Sequence, residues 1–334
     1  MRYRSFGRLF LLGLLLFPSA SPWCITIKLG SPLPEGTEWD LVLRRMADDW
    51  RDITEGRVRM KIYPGSIAGG EGDMIRKMRF GQLDAGVFTA FGLKSMVPET
   101  FVITLPGLIR GDSELDYILD NWVERFDERF REEGFEIAAW SKTGWAYVFG
   151  ERPLTLPADL MGHKLAVDNT ETDMAAAFKA LGFQVAPVSI SEIMVSLQSG
   201  LVNAFYAPPA AAAAFQWFAL APYMTEYRLA PVISGLVLSR RSWLGIPSEY
   251  HARLKDSMAR AARSFYAESA RINEKALEVM DENGLERVPL SPDEEGRWLS
   301  TMSGGHELMV GEGRAVPGVL YDALQSELEA FRGR

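Results

Sequence analysis

Cysteine and histidine are scarce in this chain. Cys24 is the one cysteine among 334 residues, which excludes an intrachain disulfide and a cysteine-based metal site. Of the three histidines, His306 precedes a glutamate as in a zinc-binding helix, but Val310 stands where the second histidine is needed. We therefore expect no metal and no cofactor.

Basic charge and catalytic motifs are also lacking. The formal net charge is −8, whereas nucleic-acid binding relies on clustered lysine and arginine. No serine lies in a nucleophile elbow, and the glycine-rich residues 69–72 lack the lysine of a phosphate-binding loop. These absences argue against a nucleic-acid partner and against an enzyme.

Long apolar runs are missing beyond the N-terminus. Three arginines precede the apolar run 9–17 and small residues follow it, which is the layout of a secretory signal peptide. The run is short for a membrane span. We predict that residues 1–23 are a signal peptide and that the protein is exported. A lipid anchor on Cys24 is the alternative, although Trp23 is bulky where bacterial lipoprotein signals carry a small residue.

Strand-like and helix-like spacing alternate along the rest of the chain. The predicted strands are 25–29, 58–63, 85–88, 137–140, 145–149, 164–167, 184–188, 204–206 and 233–238. The predicted helices are 39–54, 69–80, 112–133, 171–181, one from about residue 191, 247–283, one from about residue 291, and 319–331. Two similar α/β units predict two lobes with a cleft between them. Ligands on such sheets bind at the carboxyl ends of the strands.

Aromatic residues are frequent at these predicted strand ends. Each could be ordinary core, but together they fit a cleft lined with rings, which suits an apolar ligand. The candidate ligand-binding residues, drawn from the strand ends and the aromatic set, are Phe88, Thr89, Trp145, Tyr147, Ala166, Asn169, Ile190, Phe205, Tyr206, Ala207 and Phe215.

Three motifs follow one another along the chain. Residues 63–84 begin with Tyr-Pro-Gly-Ser and end with Phe-Gly-Gln-Leu-Asp, residues 157–165 read Pro-Ala-Asp-Leu-Met-Gly-His-Lys-Leu, and residues 181–203 end in Leu-Gln-Ser-Gly-Leu-Val-Asn. With looser similarity over residues 25–283, they resemble the DctP-type solute receptors of TRAP (tripartite ATP-independent periplasmic) transporters. The resemblance implies a two-lobed, type II periplasmic-binding-protein fold of the α/β class, with a long helix spanning both lobes. It also implies a periplasmic receptor that closes on a small-molecule ligand and delivers it to membrane permease subunits.

The same resemblance divides the chain into segments. We expect a signal peptide at 1–23, lobe I at 25–150 with a crossing strand near 145–149, lobe II at 151–240, the long spanning helix at 247–283, and C-terminal helices packing on the lobes at 284–334.

The chain departs from the family at three polar positions. Ala166 stands where the family has an arginine that clamps the ligand carboxylate, a role that suits the planar guanidinium. Ala207 replaces a family asparagine, and a second family arginine falls at Trp145 or Ala146. Asn169 matches a family asparagine and would keep one polar contact.

The lost anchors predict a different ligand. Hydrogen bonds to a charged group contribute about 1.5–3 kcal/mol each, so a lost bidentate clamp costs about 3–6 kcal/mol. Burying roughly four to eight methylenes, at about 0.8 kcal/mol each, would offset that loss. We therefore predict an apolar or amphipathic, lipid-like ligand. The resemblance extends to TRAP-like receptors that associate with a tetratricopeptide-repeat protein, and such a periplasmic protein is a hypothetical further partner.

Other interpretations remain open. One is a receptor for an organic acid whose carboxylate is held by Lys164, Arg152 or Arg228. Another is an exported hydrolase with an unrecognised site. A third is an interaction scaffold that binds a partner protein through residues 210–223.

Overall fold

A computed structural model describes residues 24–333 of the chain. The predicted signal peptide, residues 1–23, lies outside this range. The strands are β1 (Ile25–Gly30), β2 (Val58–Tyr63), β3 (Ala85–Thr89), β4 (Phe135–Gly150), β5 (Lys164–Val167), β6 (Gln184–Pro187), β7 (Ala204–Ala207), β8 (Tyr223–Thr225), β9 (Ala230–Ser239) and β10 (Glu286–Val288).

Helices alternate with these strands. The α-helices are α1 (Glu38–Ile53), α2 (Glu71–Arg79), α3 (Ala90–Met96), α4 (Asp112–Asn121), α5 (Asp127–Glu132), α6 (Pro157–Met161), α7 (Thr172–Ala180), α8 (Ile193–Gln198), α9 (Pro209–Ala214), α10 (Arg240–Leu244), α11 (His251–Glu282), α12 (Pro292–Gly304), α13 (His306–Met309) and α14 (Gly318–Arg332). Within residues 24–333, every helix is too short or too polar to cross a lipid bilayer.

Strand β4 belongs to both lobes because it changes partner along its length. The strand order is β2-β1-β3-β9-β4-β7-β5-β6, and β8 pairs with β4 and β10. From Phe135 to Ala146, β4 pairs antiparallel with β9 in the first lobe. From Tyr147 to Gly150 it pairs antiparallel with β7 in the second lobe. The chain therefore crosses between lobes at Ala146 and Tyr147, within the range where the sequence places a crossing strand.

The strands predicted at 137–140 and 145–149 are a single strand. The polar residues between them suggested a break, but the backbone continues through register shifts at Ile137/Ala139 and Lys142/Gly144. Gly144 adopts a φ of 134° at the second shift, a conformation that glycine tolerates and other residues rarely adopt. A β-bulge therefore lies where the sequence predicted a break between two strands.

The predicted extent of lobe II, 151–240, needs correction. Strand β9 lies in that range but pairs with β3 and with the first part of β4, in the sheet of the first lobe. The chain therefore returns to the first lobe by Ala230. Such pairing between strands that are far apart in sequence leaves no trace in local spacing, which is why the boundary was placed too late.

The predicted helix 112–133 is also divided. It consists of α4, a 3-10 helix at Val123–Phe126, and α5. The break follows Trp122, which leaves helical geometry at φ −120° and ψ −30° and is buried with 1% of its surface exposed. Packing of this ring into the first-lobe core competes with continuation of the helix.

Helix α11 runs along both lobes. Its 32 residues correspond to about 48 Å. In the first lobe, Trp39 Nε1 donates to Ser269 Oγ at 3.0 Å. In the second lobe, the amide of Ala210 donates to Asn273 Oδ1 at 3.0 Å, and Met280 is buried in the second-lobe apolar cluster. The long spanning helix expected from the sequence is therefore present.

The C-terminal helices connect the two lobes on another side. Trp298 of α12 donates from Nε1 to the carbonyl of Thr155, in the second lobe, at 2.9 Å. In the first lobe, Arg332 of α14 forms an ion pair of 2.8 Å with Glu114. These helices thus pack on both lobes.

Candidate functional site

Five of the candidate ligand-binding residues lie in the core. Phe88 and Phe205 are fully buried, and Trp145, Ala166 and Ala207 are 4–5% exposed. The ring of Phe205 stacks on that of Phe149 with centroids 4.7 Å apart. Because both faces of these sheets are covered by helices, a ring near a strand end packs inward as readily as toward a cleft. These five residues therefore do not form the accessible ring-lined wall that the sequence suggested.

The other six candidates are half-buried or exposed. They lie at or near the lobe boundary and the strand ends: Thr89, Tyr147, Asn169, Ile190, Tyr206 and Phe215. Phe215 is 51% exposed and Ile190 is 48% exposed. The ring of Phe215 stacks on Trp217 at 4.9 Å. The accessible candidates thus combine polar and aromatic groups instead of a continuous apolar surface.

An ion pair joins the two lobes at this boundary. Lys94, on α3 of the first lobe, places its Nζ 2.8 Å from Asp173 Oδ2, on α7 of the second lobe. The same ammonium lies 4.1 Å from the centroid of the Phe101 ring. Lys94 is 22% exposed and Asp173 is 43% exposed, so a solute entering between the lobes can reach both. Neither residue was among the sequence-based candidates.

A second polar pair lies beside this ion pair. The hydroxyl of Tyr206 donates a short hydrogen bond to the carboxyl of Glu171, which is 8% exposed. Burial, opposed by the hydrogen bond from Tyr206, raises the pKa of Glu171; with the smaller effects of Asp168, which raises it, and Lys94, which lowers it, the pKa is about 7. The carboxyl therefore changes charge near neutral pH, at the edge where β5 and β7 end.

The first lobe contributes a third acidic group. Glu71 accepts hydrogen bonds from the amide of Thr89 at 2.9 Å and from its hydroxyl at 3.1 Å. Burial raises the pKa of Glu71 despite these bonds. Gly92 makes room for the carboxylate, because a Cβ there would lie 2.5 Å from Glu71 Oε2. Thr89 and Glu71 therefore form a polar pair in the first lobe.

We call Lys94, Glu171, Asp173 and Tyr206 the inter-lobe polar site, because ion-pair, hydrogen-bond and charge interactions link these four residues. It can accept and donate hydrogen bonds and offers one ammonium group to an anion. Within residues 24–333, no three histidine, cysteine or acidic side chains come together as a metal site. The arrangement is therefore suited to holding a polar solute.

The cations proposed from the sequence lie elsewhere. Lys164 begins β5, where its amide binds Asn203 Oδ1 at 2.7 Å, and the carboxyl end of the strand is about 10 Å further on. Arg152 is exposed and 3.8 Å from Glu151. Arg228 is held by Asp112 at 3.5 Å. Lys164 therefore does not occupy the carboxyl end of β5, the edge where a ligand would bind.

Sequence reasoning missed Lys94 for a specific reason. It lies on α3, a helix of seven residues that spacing did not predict. Its contact with Asp173 spans 79 positions in sequence. No motif marks such a pair, although a lysine six residues after a predicted strand end was a signal that could have been examined.

Comparisons with known proteins agree with this architecture. The sequence profile of the family "Bacterial extracellular solute-binding protein, family 7" (DctP) matches residues 29–309. The 2,3-diketo-L-gulonate-binding periplasmic protein YiaO of Escherichia coli is 23% identical over 284 residues, covering 84% of this chain and 86% of that protein.

Two solved structures are similar in fold. A TRAP periplasmic solute binding protein from Ochrobactrum anthropi, with its C-terminus bound in the ligand binding pocket, has a TM-score of 0.85 at 20% identity, covering 93% of this chain and 97% of that one. Another from Chromohalobacter salexigens, with bound D-glucuronate, has a TM-score of 0.80 at 19% identity, covering 91% and 99%. The likeness confirms the predicted two-lobed α/β fold. The chain belongs to the DctP family, whose members are solute-binding proteins of transporters and not enzymes.

Proposed function

We propose that this protein is the periplasmic receptor of a TRAP transporter, that it binds a small organic acid between its lobes, and that it delivers the acid to membrane permease subunits. The names of two similar proteins support the ligand class, since one binds 2,3-diketo-L-gulonate and the other holds D-glucuronate. This favours the alternative interpretation of the sequence over the lipid-like ligand.

The observation that carries the proposal is the ammonium of Lys94 at the lobe boundary. Its partner, Asp173, belongs to the other lobe, so hinge opening would separate the two. A ligand carboxylate entering the open cleft would meet a lysine released from its internal anion. Asp173 would thus hold the ammonium group where the ligand carboxylate would otherwise bind.

The neighbouring carboxyls set the pH dependence. Glu171 is protonated below its pKa of about 7 and then adds no negative charge beside the ligand. Above that pH it ionises and repels an anion. Affinity for an organic acid should therefore rise as the pH falls from about 8 to about 6.

An apolar solute is the second candidate. Ala166 and Ala207 favour it, because they stand where the resemblance places polar residues that bind the ligand. Both alanines are buried in the second-lobe apolar cluster. The exposed side chains of Phe215 and Ile190 would supply contacts for such a ligand. Its weakness is that Phe88 and Phe205 already pack against the protein itself.

Calorimetric titration of the purified protein with D-glucuronate, succinate and palmitate separates the candidates. We expect D-glucuronate or succinate to bind. Lys94→Ala should weaken the binding of that acid about 10- to 100-fold, since a hydrogen bond to a charged group is lost. Asp173→Asn should strengthen binding by removing the internal competitor.

Lys164→Ala is the matched control, because Lys164 is an exposed lysine of the second lobe outside the site, and it should bind the acid as the wild type does. Binding of palmitate but of neither acid would transfer the proposal to the apolar candidate. Acid binding that survives Lys94→Ala unchanged would show that another group holds the carboxylate.

Export and membrane attachment are testable separately. We propose that residues 1–23 are removed on export, as the sequence predicts. Intact mass of the mature protein distinguishes an unmodified N-terminus from one with a diacylglyceryl group on Cys24, the exposed cysteine. The tetratricopeptide-repeat partner stays a prediction from the sequence, and pull-down from a periplasmic extract with the mature protein tests it.

A further inference from the structure

A solvent-reaching cavity of about 290 Å³ lies outside the inter-lobe polar site. Its walls come from three parts of the chain: Gly107 and Arg110 of the first lobe, Tyr227 and Arg228 before β9, and the first turns of α12 with Glu295 and Leu299. No residue of the inter-lobe polar site lines it. The volume is at the lower end for ligand pockets and suits a small molecule.

Tyr227 contributes a polar group that the protein leaves unused. The residue is 5% exposed, its ring stacks on Trp298 at 5.6 Å, and its hydroxyl is buried without a hydrogen-bond partner among residues 24–333. Buried hydroxyls are nearly always paired. A buried hydroxyl without a partner, beside a cavity, is a group that a bound molecule could satisfy.

Gly107 keeps the cavity open beside this hydroxyl. A Cβ at Gly107 would lie 3.0 Å from the Tyr227 hydroxyl oxygen and 3.3 Å from Leu299 Cδ1. The residue also has a φ of 74°, which favours glycine. The space in front of the hydroxyl therefore depends on a missing side chain.

Charges of both signs line the same cavity. The guanidinium of Arg110 and the carboxylate of Glu295 form no hydrogen bond or ion pair with the rest of residues 24–333. Both act on Tyr227: burial raises the pKa of its hydroxyl, Glu295 raises it further and Arg110 lowers it. An unpaired cation and an unpaired anion thus flank one unpaired hydroxyl.

We propose that this cavity is a second ligand site and that it binds a small zwitterion with an apolar side chain, such as leucine. The ligand carboxylate would bind Arg110, with Arg228 nearby, and its ammonium group would bind Glu295. The Tyr227 hydroxyl would donate to the carboxylate. Leu299 supplies an apolar wall for the side chain. A simple anion would leave Glu295 unpaired, and a simple amine would leave the guanidinium of Arg110 unpaired.

Calorimetry with the full mature chain and three matched probes tests the charge requirement. Leucine carries both charges, isocaproate lacks the amino group, and isoamylamine lacks the carboxylate. We expect leucine to bind about tenfold or more tightly than either analogue. Equal binding of isocaproate or isoamylamine would overturn the zwitterion assignment, and absence of leucine binding would overturn the site.

Variants locate the binding. Arg110→Gln and Glu295→Gln should each weaken leucine binding about tenfold or more, and both residues are exposed, so the fold should tolerate the changes. Asp293→Asn, also on α12 and ion-paired with Arg297, is the control and should bind leucine normally.

Lys94→Ala separates the two sites, because it should leave leucine binding unchanged. Loss of leucine binding in that variant would place the ligand between the lobes and overturn the proposal. The result is independent of the identity of the cleft ligand, since failure of the organic-acid test leaves the leucine titration unaffected.

Discussion

Glu171 should make the stability of this protein depend on pH. The carboxyl is 8% exposed, and burial raises its pKa from 4.5 to about 7. One pKa unit corresponds to about 1.4 kcal/mol, so this difference corresponds to about 3 kcal/mol of unfolding free energy. The perturbation that tests it is Glu171→Gln, which keeps the size and an acceptor for Tyr206 but removes the charge.

The direction of the effect follows from linkage. A carboxyl with a higher pKa in the folded than in the unfolded protein holds its proton more tightly when folded. Its stabilising contribution is complete below pH 4.5 and is lost as the pH rises through about 7. Between about pH 5 and pH 8, the wild type should therefore lose about 3 kcal/mol relative to Glu171→Gln.

Equilibrium urea unfolding at several pH values, followed by tryptophan fluorescence, measures this difference. The comparison is valid where both proteins unfold with the same slope in urea. Glu286→Gln, at an exposed glutamate of β10, is the control and should show no comparable trend. Tyr206→Phe removes a bond that lowers the pKa of Glu171, so in that variant the loss should move to higher pH.

A stability difference between wild type and Glu171→Gln that stays constant from about pH 5 to pH 8 would refute the reasoning. It would mean that the buried carboxyl titrates alike in the folded and unfolded chain. The assumption that Glu171 is uncharged below about pH 7 when the acid binds would then be wrong as well.

Two further predictions concern the candidates that the structure relocates. Phe205→Ala should lower the unfolding free energy, measured by urea titration, by about 3–5 kcal/mol, because the ring is fully buried. Phe215 also lies beside Trp217 but is 51% exposed, so Phe215→Ala should lower it by under about 1 kcal/mol. Equal effects would contradict the assignment of Phe205 to the core. Ala166→Arg would put an unpaired guanidinium into the second-lobe apolar cluster and should lower the melting temperature markedly. A stable Ala166→Arg protein with stronger acid binding would show instead that this position opens to the cleft.

Local spacing predicted the first five regular elements of the chain well. Strands β1 to β3 and helices α1 and α2 lie within a few residues of their predicted positions, because each combines a clear apolar period with a glycine or proline at its end. Strands β8 and β10, with three residues each, were not predicted, since such short segments have no detectable period. They exist because they pair with each other and because β8 also pairs with β4.

The candidate site was harder to predict than the fold. Alternation shows that a strand has two faces, but not which face meets a helix and which end meets the other lobe. Phe205 and Tyr206 are neighbours on β7, yet the first is core and the second binds Glu171. Strand-end reasoning named Thr89 and Tyr206, which hydrogen-bond to buried carboxyls, together with Phe88 and Phe205, which are fully buried.

By itself, the sequence determined the α/β class, the two-lobed family and the long helix, because periodicity and ordered motifs are properties of the chain alone. Only the tertiary structure decided that β9 returns to the first lobe, that Lys94 meets Asp173, and that Tyr227 faces an open cavity. Each of these depends on how distant segments pack, and packing energy is shared among residues that no local pattern connects.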